Sequence, residues 1–249
     1  TCMVGLIIAP NNVSYLNSVL SLIAVALGAG AAGTLNMWYE SDLDALMTRT
    51  CLRPIPTGQV TKNQALFFGI LLSIGSITLL YFSSNLMSAS LLFLTICFYF
   101  FVYTVWLKRR TPQNIVIGGA AGALPPAIGW TIATGSISIE PLILFLIIFL
   151  WTPSHFWALS IYKSKDYKKA KIPMLPIIYG IDKTKKNIFI YSLLMLPTIS
   201  VPYFISFLSE LFFYPALVLT IYYVYLCGTL LKIKKNKEIN SLARKIFLY

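Results

Sequence analysis

Apolar positions in this chain come in long blocks with neither the alternation of a half-buried strand nor the one-sided stripe of a helix on a soluble core. Charged residues leave uncharged runs at 1–39, 63–107, 111–139, 141–162, 187–209 and 211–231. Each is long enough for at least one transmembrane helix of about 20 residues. The 45-residue run 63–107 holds two spans, because Tyr81-Phe82-Ser83-Ser84-Asn85 places turn formers at its midpoint. The pattern predicts helices at about 13–35, 64–82, 88–107, 113–134, 141–162, 188–208 and 211–231. Cys2–Ala9 is an apolar stub closed by Pro10-Asn11-Asn12, and Ile246–Tyr249 opens another apolar run. Thr rather than Met stands at position 1. The expected fold is therefore all-α, a polytopic transmembrane bundle of about nine helices in the intact protein, seven complete and two partial here. Residues 1–249 are expected to form a single transmembrane domain.

Composition agrees: 57% of the residues are apolar and 11% charged, against roughly 25% charged in a soluble domain. The net charge of +12 raises nucleic-acid binding as an option, and the location of the cations removes it. The connections 36–63, 108–112, 163–187 and 232–245 carry 3, 3, 8 and 6 Lys/Arg, all 20 in the chain, while 10–12, 83–87, 135–140 and 209–210 carry none. This alternation is a topology signal that places the basic loops on the cytoplasmic or matrix side. The partner implied is a lipid bilayer, with no nucleic acid. Cys2, Cys51, Cys97 and Cys227 have neither metal-ligand nor redox spacing.

Six of the eight acids lie on the basic side, three of them in Asn36-Met37-Trp38-Tyr39-Glu40-Ser41-Asp42-Leu43-Asp44. If the span 13–35 continues through this segment, Asn36, Glu40 and Asp44 share one helical stripe and Asp42 points elsewhere. Stacked like charges need a cation between them. Mg²⁺ fits, since it takes one or two carboxylates and completes its shell with phosphate oxygens and water. Arg49 and Arg53 follow, four residues apart, and guanidinium groups pair naturally with phosphate. Together these outline a diphosphate site; the plainer alternative is an ordinary basic loop.

A second polar concentration lies at Trp151-Thr152-Pro153-Ser154-His155-Phe156-Trp157 and continues through Lys163, Asp166 and Tyr167 to Ile172-Pro173-Met174-Leu175-Pro176. His155 is the only histidine and sits inside a span, where an ionisable group is a functional candidate. It serves either as a helix-to-helix hydrogen-bond donor or as a ligand or base. One histidine excludes bis-histidine haem ligation within the chain. Gly28–Gly33 and Gly118–Gly122 permit close helix approach, and Pro125-Pro126 breaks or kinks the fourth complete span, 113–134. Trp130, Trp151 and Trp157 either line an apolar pocket or sit in interfacial belts.

These motifs resemble the superfamily of intramembrane prenyltransferases typified by 4-hydroxybenzoate polyprenyltransferase. Within it they are most similar to the protohaem IX farnesyltransferase (haem O synthase) branch. The resemblance rests on Asn36–Thr50 with Arg53-Pro54, on Pro153-Ser154-His155-Phe156-Trp157-Ala158-Leu159, and on Asp166-Tyr167 with Ile172–Pro176. It spans the whole chain. Two departures stand out: a single Asp166 beside Lys163 where the wider superfamily pairs aspartates, and Lys171 where this branch is expected to have Gly.

The resemblance implies transfer of a farnesyl group from farnesyl diphosphate to a vinyl group of haem b, with Mg²⁺ as cofactor and haem as substrate. Asn36, Glu40, Asp44 and Asp166 are the implied metal contacts. Arg49, Arg53 and Lys163 are the implied diphosphate contacts, and His155 with Trp157 the haem-binding candidates. His155 would act by ligation, by hydrogen bond or as a proton shuttle. A haem-handling protein or haem A synthase is an implied partner. The expected location is the bacterial inner membrane, with the mitochondrial inner membrane as the alternative. Two competing functions remain: a related prenyltransferase acting on a quinone precursor, and a membrane transporter. The transporter would place ionisable groups near the bilayer midplane, whereas the acids here gather at one face.

Overall fold

The computed structural model describes residues 1–249, all in helices, turns and loops. Seven helices are long and apolar enough to cross a membrane: α2 (Tyr15–Tyr39), α4 (Lys62–Ser83), α5 with its π-helical continuation (Leu86–Leu107), α6 with α7 (Asn114–Thr134), α8 (Ile139–Tyr162), α11 (Ile181–Phe204) and α12 (Glu210–Lys232). The sequence boundaries hold to within a few residues except at Ile181, where α11 starts seven residues early and carries Asp182, Lys183, Lys185 and Lys186 on its first turns. Shorter helices are α1 (Cys2–Ile8), α3 (Ser41–Asp44), α9 (Ser164–Lys169), α10 (Leu175–Ile178) and α13 (Asn236–Leu248).

Local chemistry explains the ends. Thr61 and Gln64 close a reciprocal capping box at the start of α4. The Asn85 side chain accepts from the Ser88 N–H at the start of α5 and donates to the Thr131 carbonyl at 2.8 Å, tying the turn to α7. The fourth complete span is broken: α6 stops at Ala123 and α7 starts at Pro125, which lacks the N–H an unbroken helix would use. Pro153, by contrast, is carried inside α8.

The chain divides into two compact units. The first comprises Thr1–Arg109 and Ala120–Phe145, the second Arg110–Gly119 and Leu146–Tyr249. In the first, α2 packs along α4, and Leu35, Leu80, Leu92, Ile96, Ile128 and Ile132 are among its core residues. The stub is a helix that crosses α7 backbone to backbone. A β-carbon at Gly129 would meet the Cys2 carbonyl oxygen, and one at Gly5 the Pro126 carbonyl oxygen. Of the glycine runs noted in the sequence, Gly28 lies against Leu92, whereas Gly30, Gly33 and Gly122 have no neighbour within 4 Å of a built β-carbon.

In the second unit α11 packs on α12. Lys185, with 3% of its side chain exposed, donates to the Ile233 carbonyl that ends α12. Residues 236–248, read in the sequence as basic loop followed by the start of an apolar run, are instead one amphipathic helix. Its Ile239, Ala243 and Ile246 share a buried face.

Candidate active site

The first unit gathers the acids predicted from sequence. Helical winding runs past the end of α2: the Glu40 N–H donates to the Asn36 carbonyl and the Asp44 N–H to the Glu40 carbonyl, each at 2.9 Å. Asn36, Glu40 and Asp44 are therefore on one stripe, 5%, 1% and 4% exposed. The Asn36 amide donates to Glu40 Oε2 at 2.7 Å and to Thr104 Oγ1 at 3.1 Å. Asp42 points away, as the spacing predicts, into a bidentate pair with Arg109 at 3.0 and 3.2 Å. Partial burial works to raise the Asp42 carboxyl, but the hydrogen bond and charge of Arg109 and the Leu43 backbone N–H outweigh it and hold the group below its ordinary 3.8.

Each of the two stacked carboxylates faces a cation of the chain. Lys108 donates to Glu40 Oε2, and Arg53 Nη1 donates to Asp44 Oδ2 at 2.8 Å. Arg53 is thus engaged by Asp44, whereas Arg49 is exposed and makes no ion pair. A run of turns carries the chain from Asp44 to Arg53. The Thr50 hydroxyl donates to the Asp44 carbonyl at 3.0 Å, and the Arg53 N–H to the Thr50 carbonyl at 3.0 Å.

Lys108, Arg109 and Thr104 were not among the predicted residues. Their placement depends on the π-helical segment Phe98–Leu107, where the Thr104 hydroxyl donates to the carbonyl of Tyr99 and the Lys108 N–H to that of Tyr103, each five residues back. The sequence signal that could have found them is the basic loop 108–112, which topology puts on the same membrane face as Glu40.

No three His, Cys, Asp or Glu side chains cluster as a metal site. The donors here are two carboxylates and an amide, and Glu40 Oε1 is buried with no hydrogen-bond partner. An unpartnered carboxylate oxygen beside a second carboxylate is a hard-oxygen environment that fits Mg²⁺.

In the second unit Lys163 caps α9, with its ammonium 5.9 Å from the Tyr162 ring centre, and Asp166 is 7% exposed. Lys171 has φ +52°, the left-handed conformation that L side chains disfavour. Its N–H donates to the Lys168 carbonyl and that of Ile172 to the Tyr167 carbonyl, a Schellman closure of α9. This explains physically why Gly is the residue expected there.

His155 lies between two rings, Trp151 at 4.1 Å and Phe247 of α13 at 4.4 Å, both tilted by about 30°. Its Nδ1 is buried without a partner. Trp157 is 1% exposed and lies in the core of this unit, its ring at 88° to that of Tyr191 with centroids 5.3 Å apart. Trp130 is likewise buried, whereas Trp151 is half-buried.

Comparison with known proteins matches the family model described as UbiA prenyltransferase family to residues 1–249. The chain is 64% identical over 249 residues to a protein named protoheme IX farnesyltransferase from Pelagibacter ubique (strain HTCC1062), covering all of this chain and 82% of that one. It is 58% identical over 202 residues to the protein of the same name from Ehrlichia ruminantium (strain Gardel), covering 81% and 68%. Among solved structures, a digeranylgeranylglyceryl phosphate synthase superposes with TM-score 0.82 at 20% identity, covering 99% of this chain and 86% of that one. A UbiA homolog from Archaeoglobus fulgidus bound to GPP and Mg²⁺ superposes with TM-score 0.75 at 16% identity, covering 100% and 94%. At such identities the structures establish the fold, and the family match and high-identity relatives establish the lineage. From end to end, this membrane-embedded helical chain belongs to the UbiA prenyltransferase family.

Proposed function

We propose that this chain transfers the farnesyl group of farnesyl diphosphate to a vinyl group of haem b, giving haem O. The observation that carries the reading is the full-length identity to proteins named protoheme IX farnesyltransferase, reaching 64%. It is supported by the buried Asn36–Glu40–Asp44 stripe with Lys108 and Arg53 at its edge. Glu40, Asp44 and the Asn36 amide oxygen would hold Mg²⁺, and the sequence resemblance assigns Asp166 a metal-binding role of its own. When bound, the ion neutralises charge that grows on a departing diphosphate. A homolog solved with GPP and Mg²⁺ supports this cofactor.

The chain's own residues then have separate tasks. Arg53, Lys108, Arg49 and Lys163 supply positive charge toward the diphosphate. Thr104 and Asn36 fix the orientation of Glu40 through one hydrogen-bond chain. His155, clasped by Trp151 and Phe247, is assigned to haem positioning. The spans keep water from the allylic cation, left when diphosphate departs, until the vinyl carbon captures it; water then adds to the cation formed on the haem side chain and loses a proton, giving the hydroxyl of haem O. We place the protein in the bacterial inner membrane, with the basic loops and the acidic stripe on the cytoplasmic side, and a haem-handling protein or haem A synthase as its partner.

Membranes containing the protein, incubated with haem b and labelled farnesyl diphosphate, should form farnesylated haem only when Mg²⁺ is present. Label appearing on a quinone precursor or another acceptor, with haem unmodified, would replace this reading by the related prenyltransferase.

A further inference from the structure

Glu40 and Asp44 differ from an open anionic trap in being already neutralised. Their two negative charges face two positive ones, with Lys108 on Glu40 Oε2 and Arg53 on Asp44 Oδ2. The Lys108–Glu40 pair is the deeper: the glutamate side chain is 1% exposed and the lysine 20%. The same Oε2 also accepts from the Asn36 amide, while Oε1 accepts from nothing. One carboxylate oxygen is thus doubly engaged and the other is held bare in a buried position. Ordinary ion-pair packing would satisfy both oxygens, since an unmet buried acceptor forfeits its hydration without replacement.

We infer that Lys108 is a resident counter-cation that occupies Glu40 in place of the metal and makes metal binding conditional on the arrival of the diphosphate. This rests on the metal assignment proposed above. A divalent ion entering alone meets a neutral cluster and is repelled by two cations that lose their carboxylates as it binds. A diphosphate arriving with the ion reverses that excess and gives both displaced cations a new partner. Lys108 is then a positioning residue: with the Asn36 amide it holds the Glu40 carboxylate aimed while the site waits, without itself being a metal ligand. The π-helical turn that sets Thr104 and Lys108 on this side of their helix is what places the ammonium at Oε2.

The test reads Mn²⁺ binding by electron paramagnetic resonance on the full chain in nanodiscs, with no substrate. Replacement of the ammonium by an apolar chain of similar length, Lys108→Met, should tighten Mn²⁺ binding by about tenfold or more, because the carboxylate is left without its competitor. Lys108→Arg, which keeps the charge, should stay within about threefold of wild type. A folded Lys108→Met protein that binds Mn²⁺ no tighter than wild type overturns the inference.

The wild-type chain gives a second measurement that does not depend on any variant folding. Saturating Mn²⁺ should raise acylation of the Lys108 amine by an amine-specific reagent at least about threefold, as the ammonium leaves its buried pair. Unchanged labelling at saturation also overturns the inference. Glu40→Gln separates the two levels of the argument. If it abolishes Mn²⁺ binding while Lys108→Met has no effect, only the counter-cation role falls. If neither substitution changes Mn²⁺ binding, the metal assignment itself falls.

Discussion

Asp44 ends the buried stripe that begins at Asn36, and its carboxylate accepts from Arg53 at 2.8 Å. The winding that aligns Asn36, Glu40 and Asp44 and turns Asp42 outward follows from spacing alone, and the hydrogen bonds keep to it. Asp44→Ala is expected to lower farnesyl transfer by about 10²-fold or more while leaving protein levels intact, measured as product formed per unit of membrane protein. Near-normal turnover would remove Asp44 from the site. Asp42 makes a different prediction, on stability. Its carboxyl is held below 3.8 when folded, so its pair with Arg109 contributes fully above the unfolded value and fades only as pH drops through the lower, folded one. The difference in melting temperature between wild type and Asp42→Asn should be constant from neutral pH down to about pH 4 and shrink below it. Lys171 carries the clearest strain. Lys171→Gly should raise the melting temperature by a few degrees, for a gain of up to about 1 kcal/mol, since the left-handed cost of roughly 1–2 kcal/mol is partly offset by the looser unfolded chain. The sequence marked Lys171 as unusual, but only the Schellman closure explains why.

At the scale of elements, the spans were readable because bilayer thickness imposes a length and composition that few other structures share. What escaped was geometry within them. Apart from Thr104, Phe98–Leu107 is an apolar and aromatic run, and nothing in its residue types distinguishes five-residue from four-residue hydrogen bonding. Yet that change of pitch directs Thr104 to Asn36 and Lys108 to Glu40. Deleting one residue within 98–103 should restore α-helical pitch and rotate the following side chains by about 100°. The expected result is a protein that still inserts into membranes, assayed by alkaline extraction, with transfer activity reduced by at least about 10²-fold. α13 was missed for a related reason: its apolar stripe is interleaved with Lys237, Glu238, Arg244 and Lys245, so that the run of charge read as a loop.

For the whole molecule, the asymmetry of Lys and Arg sets one face of the membrane apart, and Cys51 provides a reporter for it. Cys51 is partly exposed in the loop that follows the acidic stripe, Cys2 and Cys227 are buried, and Cys97 lies within a span. A membrane-impermeant maleimide should label Cys51 in inverted inner-membrane vesicles and leave it unlabelled in intact spheroplasts; the reverse pattern would invert the proposed orientation. The contact between α1 and α7, invisible to hydropathy, also works at this scale. Gly5 and Gly129 admit carbonyl oxygens that any side chain would exclude, so Gly129→Ala should destabilise the fold by about 1–3 kcal/mol, read as a lower melting temperature. That crossing also sets a clock. More than a hundred residues separate Cys2 from Gly129, so at synthesis rates of about 5–20 residues per second the first helix waits roughly 6–25 s for its partner to emerge. During that interval its bare glycine face is open to any other helix in the membrane, and slowed translation before residue 129 would lengthen its exposure to misassembly.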